Sequence, residues 1–159
     1  MIRAIICATA LAVAGAAGAD PAPVTRTLAS PTAAIAQTVT VPAGHDTIYV
    51  SGVIPDLPKP PAPAGDTEAQ ADSVFGKIAG ILTGQGLSEA DVVSMTIYMA
   101  APADGPRMDF AGMMKAYARH YGTAAQPNKP SRSTVQVANL ALPGALLEVS
   151  VIAVRAPKP

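Results

Sequence analysis

Two stretches of this chain repeat their apolar residues every three or four positions, and the segments around them alternate in twos. In "TEAQADSVFGKIAGILTGQG" Ala71, Val74 or Phe75, Ile78, and Ile81 or Leu82 share one side of a helix. In "MDFAGMMKAYARHYG" Phe110, Met113 or Met114, Tyr117 and Tyr121 do the same. A helix with one apolar stripe must lay that stripe against another element. The surface for it comes from "AQTVTV", "TIYVSGVI", "DVVSMTIYMA", "KPSRSTVQV" and "LLEVSVIAV", all rich in β-branched residues, with a further strand entering from "DPAPVTRTLASPTAA". The order is β-β-β-α-β-α-β-β. It predicts an α+β layer, a mixed β-sheet with two helices on one face. The Met and Tyr residues of the second helix read as a core stripe rather than a cofactor box.

Turn chemistry punctuates these elements. "PAGHD" joins "AQTVTV" to "TIYVSGVI". The five prolines of "PDLPKPPAPAGD" exclude both a central strand and a helix interior there. Asp66 or Thr67 can cap the first helix, with Gln70 spaced to close a capping box from Thr67. Gly84 and Gly86 end it, and Gly122 ends the second helix. There is no internal repeat. The expected organisation is a leader over residues 1–19, a lead over 20–30, one domain over 31–156 and a tail over 157–159.

The leader follows from "MIRAIICATALAVAGAAGAD". Arg3 supplies a positive start, Ile5–Ala14 an apolar run too short to span a bilayer, and Ala17-Gly18-Ala19 a small-residue cleavage pattern. Cleavage after Ala19 is expected, giving an exported, periplasmic or secreted product with no membrane attachment. It would remove Cys7, the single cysteine, and with it any disulfide, thiolate ligand or thiol nucleophile. Eleven Lys and Arg balance eleven Asp and Glu, and loss of Arg3 tips that balance by one negative charge. Aromatic residues make up 4% and tryptophan is absent. Neither a basic field nor a stacking platform for nucleic acid is available.

Few local patterns carry chemistry. His45 sits in a turn and His120 near a helix end, without metal-ligand spacing, and no metal site is expected. Phosphate loops, dinucleotide fingerprints and serine elbows are missing from the sequence. What stands out is one charge in each of the last two strands, Arg132 and Glu148. Period two puts Arg132, Thr134 and Gln136 on one face, and Glu148 with Ser150, Ile152 and Val154 on one face of its own strand. If the two strands pair as a hairpin through "ANLALPGA", both charges lie near one end of the sheet. They then form either a structural ion pair or a site in which a guanidinium fork holds a carboxylate and Glu148 orients a water.

"PSRSTVQVANL" followed by "LEVSVIAVR" closely resembles the C-terminal signature of the RidA family, the reactive-intermediate deaminases also called YjgF or L-PSP proteins. "YVSGVIP", "AQADSVFGKIAGILTGQGLSEADVVSMTIYM" and "DFAGMMKAYARHYG" resemble its earlier elements, so the likeness runs from about Pro31 to Arg155. It implies a chorismate-mutase-like subunit, a homotrimer, and ligand clefts between subunits. By the same resemblance Arg132 holds a substrate carboxylate, Glu148 positions the attacking water, and Ser51 and Thr134 line the cleft. The implied reaction is hydrolysis of enamines and imines, such as 2-aminoacrylate or 2-iminopropanoate, to 2-oxo acids and ammonia. An imine carbon is already electrophilic, so orientation can do most of the work and no cofactor is called for. Two positions depart from the pattern: Thr38 stands where such enzymes usually carry a cleft tyrosine, and Met114 replaces a common asparagine. The alternative expectation is a non-catalytic trimeric protein that binds small carboxylates in the same clefts.

Overall fold

The computed structural model describes residues 21–59 and 64–158; the expected leader lies outside them. Strands β1 (Thr25–Thr27), β2 (Thr38–Thr40) and β3 (Asp46–Val53) precede helix α1 (Thr67–Gly84). Strand β4 (Val92–Met99), helix α2 (Phe110–His120), strand β5 (Ser131–Gln136) and strand β6 (Leu147–Arg155) follow. A single 3-10 turn, Glu89–Asp91, lies between α1 and β4. This is the α+β order expected, with four strands arranged β3-β6-β4-β5 in one mixed sheet.

Strand pairing settles two points that the sequence left open. Strands β5 and β6 do not form a hairpin: β4 lies between them, antiparallel to β6 and parallel to β5. The reason is α2, which makes β4-α2-β5 a crossover unit, and such a unit returns the chain parallel to its first strand. Strand β5 takes the outer side of β4, so β6 pairs with β4's other side. Likewise β2 does not pair with β3 across its turn. It pairs antiparallel with β1 in a separate ribbon, Thr25 opposite Thr40. A backbone bond from Gln37 N to Thr27 O (2.8 Å) extends this ribbon, and one from Ala36 N to Pro130 O (3.0 Å) ties it to the approach of β5.

Asp66, not Thr67, caps α1: its backbone is extended and its carboxylate accepts from Ala69 N at 2.9 Å. Gln70 closes no capping box: its amide reaches back past the cap, donating to Ala64 O (3.3 Å) and Gly65 O (3.4 Å). Its amide donates to Gly144 O (3.1 Å) and accepts from Leu146 N (2.8 Å), fastening the helix start to the β5–β6 connection.

The core lies between the helices and one face of the sheet. Val74, Phe75, Ile78 and Leu82 of α1 meet Met95, Ile97 and Met99 of β4 and Leu147, Val149 and Val151 of β6. Burying each of these side chains contributes about 1.5–3 kcal/mol. Of the residues expected on the helical stripes, Ile81 and Phe110 are left exposed. Among the described residues no helix covers the opposite face of the sheet, where Tyr49 is 75% and Tyr98 38% exposed.

His120, at the end of α2, ties three elements together. Its Nδ1 lies 2.8 Å from Glu89 Oε1 and its Nε2 3.4 Å from Asp72 Oδ1, while its ring rests 5.3 Å from Phe75. The Glu89 hydrogen bond, outweighing burial, raises the imidazole above its usual 6.5. A raised pKa stabilises the fold fully below the unfolded value and loses that contribution as pH climbs through the folded value. The thermal midpoint is therefore expected to fall over the interval just above pH 6.5, and His120→Gln to flatten that fall in a midpoint-against-pH series.

Candidate functional site

Strand β5 carries the first half of the candidate site. Its residue Arg132 pairs with Met95, a core residue, so its side chain lies on the helix-covered face. There the guanidinium carbon sits 4.4 Å from the centre of the Tyr117 ring and 5.8 Å from that of Phe110. Nη2 donates to Met114 Sδ at 3.2 Å. Among the described residues no carboxylate forms an ion pair with it, and Nη1 is buried with no hydrogen-bond acceptor. Burial lowers the pKa of Arg132, with Tyr117 acting weakly the other way. Tyr117 is itself pushed up to about 12 by burial, against the opposing pull of the Arg132 charge.

The rest of this face is set by the same strand. Thr134 Oγ1, two residues on, is also buried without a partner. Gln136, two further, accepts from Met108 N (2.8 Å) and donates to Pro106 O (3.1 Å). That clamp fixes the loop entering α2, whose N-cap Asp109 accepts from Gly112 N at 2.9 Å. It thereby sets Phe110 and Met114 over the guanidinium. A buried cation facing two rings and a thioether, with one nitrogen unpaired, is costly unless an anion completes it.

Glu148 is elsewhere. It pairs across the sheet with Tyr98 and lies on the open face, opposite to that of Arg132. The expected meeting of the two charges at one end of the sheet does not occur within one chain, because β4 intervenes and the two side chains point to different faces. Glu148 sits instead against the Ser51-Gly52 bulge of β3. Val50 pairs with Val151 and Val53 with Val149, so Ser51 and Gly52 together face Ser150 alone. A Cβ built on Gly52 would overlap the Glu148 carboxylate. Glycine is what lets the acid lie on that backbone.

Thr38 stands in the ribbon, its hydroxyl 2.6 Å from that of Thr27. A cavity of about 860 Å³ opens between the start of α1, the loop after β4 and the β5–β6 connection. Another of about 240 Å³ lies beside Arg26 and His45. Neither is lined by Arg132, Thr134, Ser51, Thr38 or Glu148. The candidate residues thus form two half-sites on opposite faces of one sheet. Sequence reasoning missed the surroundings of Arg132, although Phe110, Met114 and Tyr117 are spaced four and three apart and form one helical stripe.

Residues 27–155 match the endoribonuclease L-PSP family. The chain belongs to this RidA/YjgF family. Among its relatives, this RidA-family chain is 35% identical to the mitochondrial protein MMF1 of Saccharomyces cerevisiae over 107 residues, 67% of each chain. It is 32% identical over 108 residues to the Escherichia coli K12 protein named "Putative reactive intermediate deaminase TdcF", covering 68% of this chain and 78% of that one. The crystal structure of E. coli TdcF with bound serine superimposes with a TM-score of 0.58 and 31% identity, covering 73% of this chain and 85% of TdcF.

Proposed function

We propose that this RidA-family protein hydrolyses enamine and imine intermediates such as 2-aminoacrylate and 2-iminopropanoate to 2-oxo acids and ammonia. The reaction would take place in clefts between the subunits of a homotrimer. One observation carries the reading: Arg132 is a largely buried guanidinium that, among the described residues, has no carboxylate partner and leaves Nη1 unpaired. A substrate carboxylate supplies the missing anion through charge-assisted bonds. The two half-sites lie on opposite faces of the sheet, so a second copy must bring a Ser51-Gly52-Glu148 edge to the Arg132 face. The exposed Tyr49, Tyr98 and Val135 offer apolar surface for such packing.

In this reading Arg132 and Thr134 hold the substrate, Ser51 and Thr38 line the cleft, and Glu148 orients a water and takes its proton. An enamine first tautomerises to the imine, losing an N–H proton and gaining one at C3. The new carbon–oxygen bond then forms as the C=N electron pair moves to nitrogen, which takes up the proton held by Glu148. The hydroxyl proton of the tetrahedral adduct passes by way of Glu148 to the amino group, the C–N bond breaks with its electron pair leaving as ammonia, and the 2-oxo acid remains. Purified protein is tested for ammonia release from imino acids generated by an amino-acid oxidase. Acceleration that disappears in both Arg132→Ala and Glu148→Gln supports the reading, and no acceleration with any substrate overturns it. Gly52→Ala is a sharper probe. The clash falls on the far end of a flexible side chain, so stability should change by less than about 1 kcal/mol. Displacing the carboxylate by about an ångström should cost about 100-fold in turnover.

A second reading, non-catalytic capture of small carboxylates, is favoured by Met114, whose thioether occupies Arg132 Nη2. Calorimetric binding of 2-oxobutanoate without turnover would select it. Export, the third part of the proposal, rests on the leader pattern alone; cell fractionation and a mature N-terminus at Asp20 would support it, and retention of Met1 in the cytoplasm would overturn it.

A further inference from the structure

The surroundings of Arg132 also bear on which carboxylates fit. Three groups enclose the guanidinium: the Tyr117 face, the Phe110 ring and the Met114 thioether. A thioether is a weak acceptor, and a carboxylate oxygen arriving at Nη2 displaces it. The displaced methionine is flexible and polarizable, and stays beside the ligand as an adjustable apolar wall. Phe110 remains 43% exposed where the helix overhangs β5, although it belongs to the apolar stripe of α2. Among the described residues, Arg132 Nη1 and Thr134 Oγ1 are buried on this strand face without a hydrogen-bond partner. An arriving carboxylate engages both.

We infer that Met114 and Phe110 are specificity-determining residues, and that among the proposed substrates this site favours 2-imino and 2-oxo monocarboxylates with an apolar side chain of three or more carbons over the one-carbon members. A hydroxymethyl group or a second carboxylate lying against this wall would meet a sulfur and a ring face, and a polar group left unpaired in such a place is disfavoured. An apolar group instead gains about fourfold per buried methylene. The inference rests on the proposed role of Arg132 as carboxylate anchor and goes beyond it by naming the substrate class.

The test is calorimetric titration of the full chain with 2-oxopropanoate, 4-methyl-2-oxopentanoate and 2-oxopentanedioate. The branched acid is expected to bind about 50-fold more tightly than 2-oxopropanoate, in line with three added carbons, and the dicarboxylate more weakly than either. Met114→Asn and Phe110→Ser should both fold, since Phe110 is exposed and Met114 only partly buried. Each should flatten the ranking while 2-oxopropanoate still binds. A flat ranking in the wild-type protein, or preference for the dicarboxylate, overturns the inference and leaves the anchor intact. An unaltered ranking in both variants likewise removes Met114 and Phe110 from specificity. Absence of binding by all three acids overturns the anchor itself and the inference with it.

Discussion

Arg132→Met weakens the binding of small 2-oxo acids by about 100- to 1,000-fold, while the thermal midpoint of the ligand-free protein stays nearly unchanged. The two halves of this expectation have separate causes. Removing one partner of a desolvated, hydrogen-bonded charge pair costs about 2–5 kcal/mol, and each 1.4 kcal/mol is tenfold in affinity. In the free protein the same guanidinium is a liability, buried with Nη1 unpaired and no carboxylate beside it. Methionine keeps much of the apolar stem and removes a desolvation penalty that partial exposure of Arg132 reduces to about 1–2 kcal/mol. Against this stands the lost stacking on Tyr117, about 0.5–2 kcal/mol, so the two nearly offset each other. Arg132→Lys separates charge from shape: it keeps the cation, loses the planar fork, and should fall between the wild type and Arg132→Met. Thermal shift with ligand reads both halves together. Ligand at 100 times the wild-type Kd adds about 2.7 kcal/mol to the wild type and should add no more than about 0.4 kcal/mol to Arg132→Met. A variant that responds to ligand as the wild type does would place the anchor on another residue.

The order of elements was legible because each type of segment carries its own period, and Gly86, Gly122 and the five prolines before Asp66 mark where periods change. Pairing was not, because period says nothing about neighbours. The segment between β5 and β6 can close a hairpin or pass over β4 with equal ease, and α2 decides the matter by making β5 parallel to β4. The faces were half legible. Alternation separates Arg132, Thr134 and Gln136 from Ser133, Val135 and Val137, yet cannot say which set is covered. In the fold Val135 is 43% exposed and Arg132 lies beneath α2. Apolarity alone would have suggested the reverse, and the inversion is what marks β5 as part of a site. Asp66 in place of Thr67 as the cap has a similar origin, since the sequence shows that Gln70 could reach back but not that Gly144 and Leu146 would claim it. The resemblance to the RidA family gave Arg132 and Glu148 together, but it is the topology that puts them on opposite faces.

That separation leads to the second large effect. If each cleft takes Arg132 from one subunit and Glu148 from another, two inactive variants can complement each other. Arg132→Ala retains a sound Glu148 edge, and Glu148→Gln retains a sound Arg132 face. Each homotrimer alone is expected to be inactive. Co-expressed in equal amounts and co-assembled at random, they should regain about one quarter of wild-type activity, since each cleft draws its two halves independently. Simple mixing of the purified variants should restore less, to the extent that subunits fail to exchange. The double variant Arg132→Ala/Glu148→Gln, co-expressed with wild type, controls for dilution. A site built within one chain gives the opposite result: neither parent has both groups, so no mixture can recover activity. The measurement therefore tests the intersubunit site through chemistry alone. Turnover in the co-expressed sample, from parents that show none, requires that the guanidinium of one copy and the carboxylate of another meet at the same substrate.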